Sequence, residues 1–167
     1  MLRIWIIRHG KAEEHGSKRD YVRQLAPRGH SDGELMRAWY GDHEHPAEWL
    51  WVSSAARAQE TAVYVQAGFT RKARACEAAT EDSLYLASPD TMLHCLQTTP
   101  ALTRCAGVVA HNPGCTELAN WLASDPVTSA LPTFASVLLA FPDAAAWPDI
   151  RPGSGTVEAM QRPKILR

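Results

Sequence analysis

Apolar residues in this chain fall in two patterns. Short, near-continuous apolar runs alternate with longer segments in which apolar residues return every three or four positions. The runs read as strands buried on both faces and the longer segments as amphipathic helices. Leu2 to Ile7 is the first predicted strand, and Trp49 to Val52, Gly107 to Ala110 and Thr133 to Phe141 follow it. An edge strand is expected near Thr156 to Gln161, stopped by Pro163. Ser31 with Glu34 three residues on predicts a capping box, with Leu35, Met36 and Trp39 on one helix face. Ser54 is placed to cap a helix with Ala58, Ala62 and Val65 inward and Gly68 as its stop. Ser88-Pro89 opens a third helix, with Met92, Leu93 and Leu96 inward. Asn112-Pro113 opens a fourth, with Leu118, Trp121 and Leu122 inward. Alternating strands and helices predict an α/β fold built on one sheet.

The totals narrow the class. A chain of 167 residues suits one domain over 1–167. Hydrophobic residues are 46% and charged residues 21%, with a formal net charge of -1. That balance gives no footprint for nucleic acid or an anionic lipid surface. No apolar run approaches the roughly 18 residues of a membrane helix, and the start is too short for a signal peptide. Cys76, Cys95, Cys105 and Cys115 form no CxxC pair, so reduced thiols in a cytoplasmic protein are expected.

Candidate chemistry gathers at strand ends. Arg8-His9-Gly10 follows the first strand, where ligands bind in open α/β sheets. A histidine there can act as a nucleophile, an arginine forks onto phosphate oxygens, and glycine lets the backbone turn and approach a ligand. By average residue usage this tripeptide arises by chance in about one per cent of such chains. His111 ends another buried strand just before a helix start, in Val108-Val109-Ala110-His111-Asn112-Pro113-Gly114. A third segment, Ser53 to Ala62, leaves a strand end and carries Arg57 and Thr61 one helical turn apart. Singly, each has a blander reading: a capping or core histidine, a solvent-facing arginine. Together they describe a phosphate pocket without a metal, with two guanidiniums to neutralise a dianion and one imidazole to attack phosphorus.

These motifs resemble the histidine phosphatase superfamily, whose signature is Arg-His-Gly after the first strand. The similarity is greater to its short bacterial branch, the SixA-type phosphohistidine phosphatases. Arg8-His9-Gly10 resembles the nucleophile motif, and Ser53 to Ala62 resembles Ser-x-x-x-Arg-Ala-x-x-Thr-Ala. Val109 to Gly114 resembles the second-histidine motif. Weaker likenesses include Asp20, Arg23, Leu25, Arg28 and Gly29, then Leu84-Tyr85, Leu131-Pro132-Thr133, Trp147 and Pro163-Lys164. The resemblance implies a phosphoglycerate mutase-like, three-layer α/β/α domain with a mostly parallel sheet and an antiparallel edge strand. It implies His9 as nucleophile, with Arg8, Arg57 and His111 holding phosphate and Gly10, Arg23 and Asn112 also binding it. It implies no metal and no cofactor, while charge and hydropathy give the expectation of no nucleic acid and no membrane. The expected partner is a phosphohistidine-bearing protein or a small phosphorylated metabolite, met by a monomer.

Larger members of the superfamily protonate the leaving oxygen with a carboxylic acid. Glu81 and Asp82 are candidates, or else solvated loop charges. A phosphohistidine leaving group has a conjugate-acid pKa of about 6.5 and needs such help far less than an alkoxide. Three competing functions remain: a small-metabolite phosphomonoesterase, a mutase and a non-catalytic phosphate-binding module. A mutase would need a second phosphate site, and the sequence offers no spare basic cluster for one. Asp42-His43-Glu44-His45 lacks the spacing of a helical zinc site. Cys115 near a helix start has either a lowered pKa or the character of a buried thiol.

Overall fold

A computed structural model describes residues 1–72 and 75–167. Its strands are β1 (Leu2–Arg8), β2 (Trp49–Ser53), β3 (Glu77–Glu81), β4 (Cys105–Ala110), β5 (Ser136–Phe141) and β6 (Thr156–Gln161). Its helices are α1 (Pro27–Asp42), α2 (Ala56–Phe69), α3 (Pro89–Gln97), α4 (Gly114–Leu122) and the short α5 (Pro163–Leu166). The strands form one sheet in the order β3-β2-β4-β1-β5-β6. Pairings are parallel from β3 to β1 and antiparallel at β1–β5 and β5–β6.

β1 shows why an unbroken apolar run forms a central strand. Leu2, Ile4 and Ile6 face a core shared with α3 and α4, while Trp5 and Ile7 face one shared with α1 and α2. β4 and β5 are buried along their whole length. The edge strands β3 and β6 are mostly exposed and polar, which blunts them against further pairing. The sheet with helices on both faces is the expected three-layer architecture.

Several sequence expectations change. α1 starts at Pro27 with Ala26 as N-cap, not at Ser31, whose hydroxyl bonds back to the Pro27 carbonyl. Proline at the first helical position sets that start. Met36 and Tyr40 fill its buried face, and Leu35 and Trp39 are half-buried. Ser54 does not cap α2, whose N-cap is Ala55, and Gly68 lies inside the helix. There Gly68 admits close packing, since a Cβ would lie 2.7 Å from the Arg37 carbonyl oxygen and from Tyr40 Cβ. Ser88 does cap α3, accepting from Thr91 N at 3.3 Å. Trp121 is 37% exposed, so the α4 core face is Leu118, Ala119 and Leu122. β3 was not predicted. Pro163 opens α5 after the edge strand has ended.

Candidate active site

Topology brings the two histidines together. β1 and β4 are parallel neighbours in register, with Arg8 opposite Ala110, so His9 and His111 leave adjacent strand ends. The chain after β1 turns to the α1/α2 face and the chain after β4 to the α3/α4 face. A crevice opens where the connections diverge, the usual ligand position in an open α/β sheet. The ring centroids of His9 and His111 lie 5.1 Å apart. β2 ends beside them at Ser53, and the loop from Leu131 enters antiparallel β5 at the same edge. Arg8, His9, Arg23, Arg57, His111 and Asn112 line one cleft of about 390 Å³.

Backbone bonds fix His9 on both sides. Its N-H donates to Ala110 O at 3.0 Å, and its carbonyl accepts from Phe134 N at 3.0 Å. Its Nδ1 lies 2.7 Å from the Gly10 carbonyl. A carbonyl only accepts, so Nδ1 carries the proton and Nε2 keeps its lone pair. Nε2 accepts from Arg57 Nε at 3.3 Å. Burial first, then the proximity of His111 and of the guanidiniums of Arg57 and Arg8, lowers the His9 pKa to about 3. The ring is therefore neutral at physiological pH.

His111 is held from one side. Ser53 Oγ lies 2.7 Å from its Nε2, while its buried Nδ1 has no partner among the described residues. Burial first, then Arg57, lowers its pKa to about 4. Arg8 donates through Nη1 to the Leu131 carbonyl at 2.8 Å, and its buried Nε is also unpartnered. Burial lowers the Arg8 pKa. Asn112 shares that carbonyl through Nδ2 at 2.9 Å and ties down the first turn of α4, its Oδ1 accepting from Thr116 N and Oγ1. Much of its hydrogen-bonding capacity is thus spent on positioning the Leu131 loop and the helix.

Gly10 serves packing. Its N-H donates to Thr61 Oγ1 at 2.9 Å, and Thr61 donates on to the Arg57 carbonyl at 2.7 Å. A Cβ on Gly10 would meet the Phe134 ring at 2.6 Å. Phe134 itself has φ of 62°, a strained backbone next to the site.

Asp20 is the residue that sequence reasoning underrated. It follows no strand and appeared only within a weak likeness before α1. Its carboxylate accepts from Arg57 Nη2 at 2.9 Å, Arg23 Nη2 at 2.6 Å and Tyr85 Oη at 2.5 Å, and its carbonyl accepts from Arg57 Nη1 at 2.7 Å. Burial works to raise its pKa, but the bonds from Tyr85, Arg23 and Arg57 hold it well below the ordinary carboxylate range. Arg57 is 3% exposed, so the pair is largely withdrawn from water on that side. The signal in the sequence was indirect: a buried arginine requires a carboxylate.

Glu81 and Asp82 lie elsewhere. Glu81 ends β3 and accepts from Ser83 Oγ at 3.1 Å, and Asp82 opens a 3₁₀ turn. Neither lines the cleft. His43 packs against Trp5 and Trp39 and accepts from His45 N, so the acidic-histidine loop is tied into the α1 layer. Cys115 is fully buried and its pKa is pushed up to about 12, which removes the reactive-thiol alternative.

Fold and site together define a cleft at one sheet edge of an α/β/α domain, with two neutral histidines ringed by three arginines. No family model and no curated sequence matches the chain. Solved structures do. The chain shares the fold of solved phosphatases, the three-layer α/β/α architecture that its motifs led one to expect. A protein assigned as the phosphohistidine phosphatase SixA of Nakamurella multipartitia is similar at TM-score 0.82 and 21% identity, covering 97% of this chain and 96% of that one. The protein histidine phosphatase SixA complexed with tungstate is similar at TM-score 0.78 and 22% identity, covering 99% and 100%. A mycobacterial glucosyl-3-phosphoglycerate phosphatase follows at TM-score 0.68 and 13% identity, covering 95% and 97%. No helix among the described residues is long and apolar enough to cross a membrane.

Proposed function

We propose that this chain is a phosphatase that works through a phosphohistidine intermediate on His9, and that its substrate is a phosphohistidine borne by another protein. One observation carries the proposal: the unprotonated Nε2 of a neutral, buried His9 stands within a ring of cationic donors. A phosphoryl dianion entering the cleft gains the guanidiniums of Arg8, Arg57 and Arg23, and it satisfies the unpartnered His111 Nδ1 and Arg8 Nε.

In the first step the Nε2 lone pair of His9 forms a bond to phosphorus while the bond from phosphorus to the substrate's imidazole breaks. The substrate ring, protonated on its far nitrogen, departs neutral. In the second step water attacks phosphorus, the His9 bond breaks, and inorganic phosphate leaves with neutral His9 restored. The proton stays on Nδ1 throughout, donated in a hydrogen bond to the Gly10 carbonyl.

The substrate reading rests on the cleft's acid content. Asp20 is the one carboxylate among its described lining residues, and its three donors keep it ionised. An ionised carboxylate cannot protonate an alkoxide, whereas a departing imidazole needs no such donor. The experiment is a side-by-side assay of a phosphohistidine protein and a panel of sugar and nucleotide monophosphates, with acid-quench trapping. Expected are turnover of the phosphohistidine protein and a labile adduct that vanishes in His9→Ala. Turnover of the esters alone would assign a metabolite phosphatase. Tight phosphate binding with no adduct in single turnover would leave a binding module.

A further inference from the structure

A second cleft of about 600 Å³ adjoins the first, and the two share Lys11 and Thr133. Its floor is apolar, formed by Ala26, Pro27, Pro132 and Pro163. Its rim carries Lys11, Arg28, Arg162, Lys164 and Arg167, brought from three separate stretches of sequence. The one carboxylate among its described lining residues is Asp32, 2% exposed and paired with Arg28 at 3.2 Å and Arg167 at 2.7 Å. Arg162, Lys164 and Lys11 are exposed, and none makes an ion pair among the described residues. A chain of net charge -1 has thus set five cations against one anion beside its phosphate cleft. The sequence concealed this cluster because its members lie in the loop after β1, the first turn of α1 and the α5 segment.

We infer that this basic cleft docks an acidic segment of the phosphohistidine-bearing protein, with an apolar side chain on the proline floor and carboxylates against the rim. The inference rests on the phosphohistidine reading and names the partner's chemistry. Charge complementarity and continuity with the reactive cleft support it. A second phosphate of a small substrate fits less well. Tight phosphate binding needs donors that converge and are shielded from water, whereas these cations are exposed and spread around an apolar floor. Exposed cations on a rim act mainly on encounter and on KM, not on the chemical step.

The test uses short synthetic peptides with the same central histidine, one flanked by Glu and Leu and one by Gln and Ser, each with and without phosphoryl on the histidine. The charge-reversal variant Arg162→Glu/Lys164→Glu changes two rim residues that touch none of the reactive groups, and a thermal melt verifies its fold. Expected is preferential binding of the acidic peptide by wild type, weakened by salt and by about tenfold or more in the variant. Its kcat/KM should fall to match through KM, with turnover of free phosphohistidine unchanged. Equal binding of both peptides by wild type overturns the docking surface. So does an equal loss on free phosphohistidine in the variant. A KM effect confined to small bisphosphorylated esters also overturns it, in favour of a second-phosphate site. The binding arm does not depend on turnover. If the unphosphorylated acidic peptide binds in a reversal-sensitive way and no phosphohistidine probe is hydrolysed, docking stands and the substrate reading falls.

Discussion

The Gly10 carbonyl accepts a hydrogen bond from His9 Nδ1, and the surrounding cations disfavour a second proton on the ring. Around this ring, Asp20 does two things at once. It holds Arg57 and Arg23 in place, and its negative charge occupies part of their field. Asp20→Asn keeps the shape and removes the charge. Tungstate inhibition should tighten several-fold, because an incoming anion no longer faces a resident one. The kcat should fall by about tenfold as the guanidiniums lose their anchor. Unchanged values for both would show that Asp20 neither positions nor competes. Gly10 carries a second residue-scale prediction. Gly10→Ala pushes a methyl to within 2.6 Å of the Phe134 ring, and overpacking of this kind costs about 1–3 kcal/mol. Chemical denaturation should read that loss, and Gly10→Ala/Phe134→Leu should recover part of it. If the single variant is as stable as wild type, the packing account of this glycine is wrong. Arg8, His9, Arg57 and His111 were legible because each sits at a strand end or one turn beyond it, where local sequence fixes position. Asp20 was not, because its role comes from Arg57, 37 residues away, and from Tyr85, 65 away.

Helix starts show how local signals compete. Ser31 and Glu34 have the spacing of a capping box, yet Pro27, four residues earlier, sets the helical φ and starts α1 there. The result is a helix whose N-cap is Ala26, with no side chain to accept from the first free N-H groups. Ala26→Ser should stabilise the protein by about 0.5–1 kcal/mol in urea titration. A neutral or negative result would mean that those N-H groups are already satisfied. The apolar runs identified β1, β2, β4 and β5, since strands buried on both faces admit little else. β3 escaped because Glu77-Ala78-Ala79-Thr80-Glu81 is a mostly exposed edge strand with no apolar alternation to detect. Trp121 misled for the opposite reason: it keeps helical spacing with Leu118 and Leu122 yet stands 37% exposed on the flank of α4.

At the scale of the whole molecule, the proposed function depends on two histidines that the fold keeps neutral, and this couples stability to pH. Unfolded, both rings titrate near 6.5. Folded, His9 titrates at about 3 and His111 at about 4. Between those values the unfolded chain binds more protons than the folded one, so stability falls as pH drops below 6.5 and levels off only near the folded pKa values. Above 6.5 neither ring contributes a slope. At pH 5 the loss is roughly 2 kcal/mol from each histidine, by linkage between the two protonation states. His43, whose pKa is also lowered by burial, adds in the same direction. Asp20 does not oppose this window, because its folded pKa is depressed and its stabilising contribution is lost only at more acid pH. Urea titrations at pH 7 and pH 5 should therefore differ by several kcal/mol, a large share of a domain's total stability. Tungstate should reduce the difference. An oxyanion in the cleft favours protonated His111 and so raises the folded pKa toward the unfolded one. In His9→Asn/His111→Asn the difference should shrink by about 4 kcal/mol, the sum of the two contributions. If that variant keeps the full pH dependence, the two rings are not the groups the fold holds neutral, and the neutral-nucleophile mechanism loses its basis.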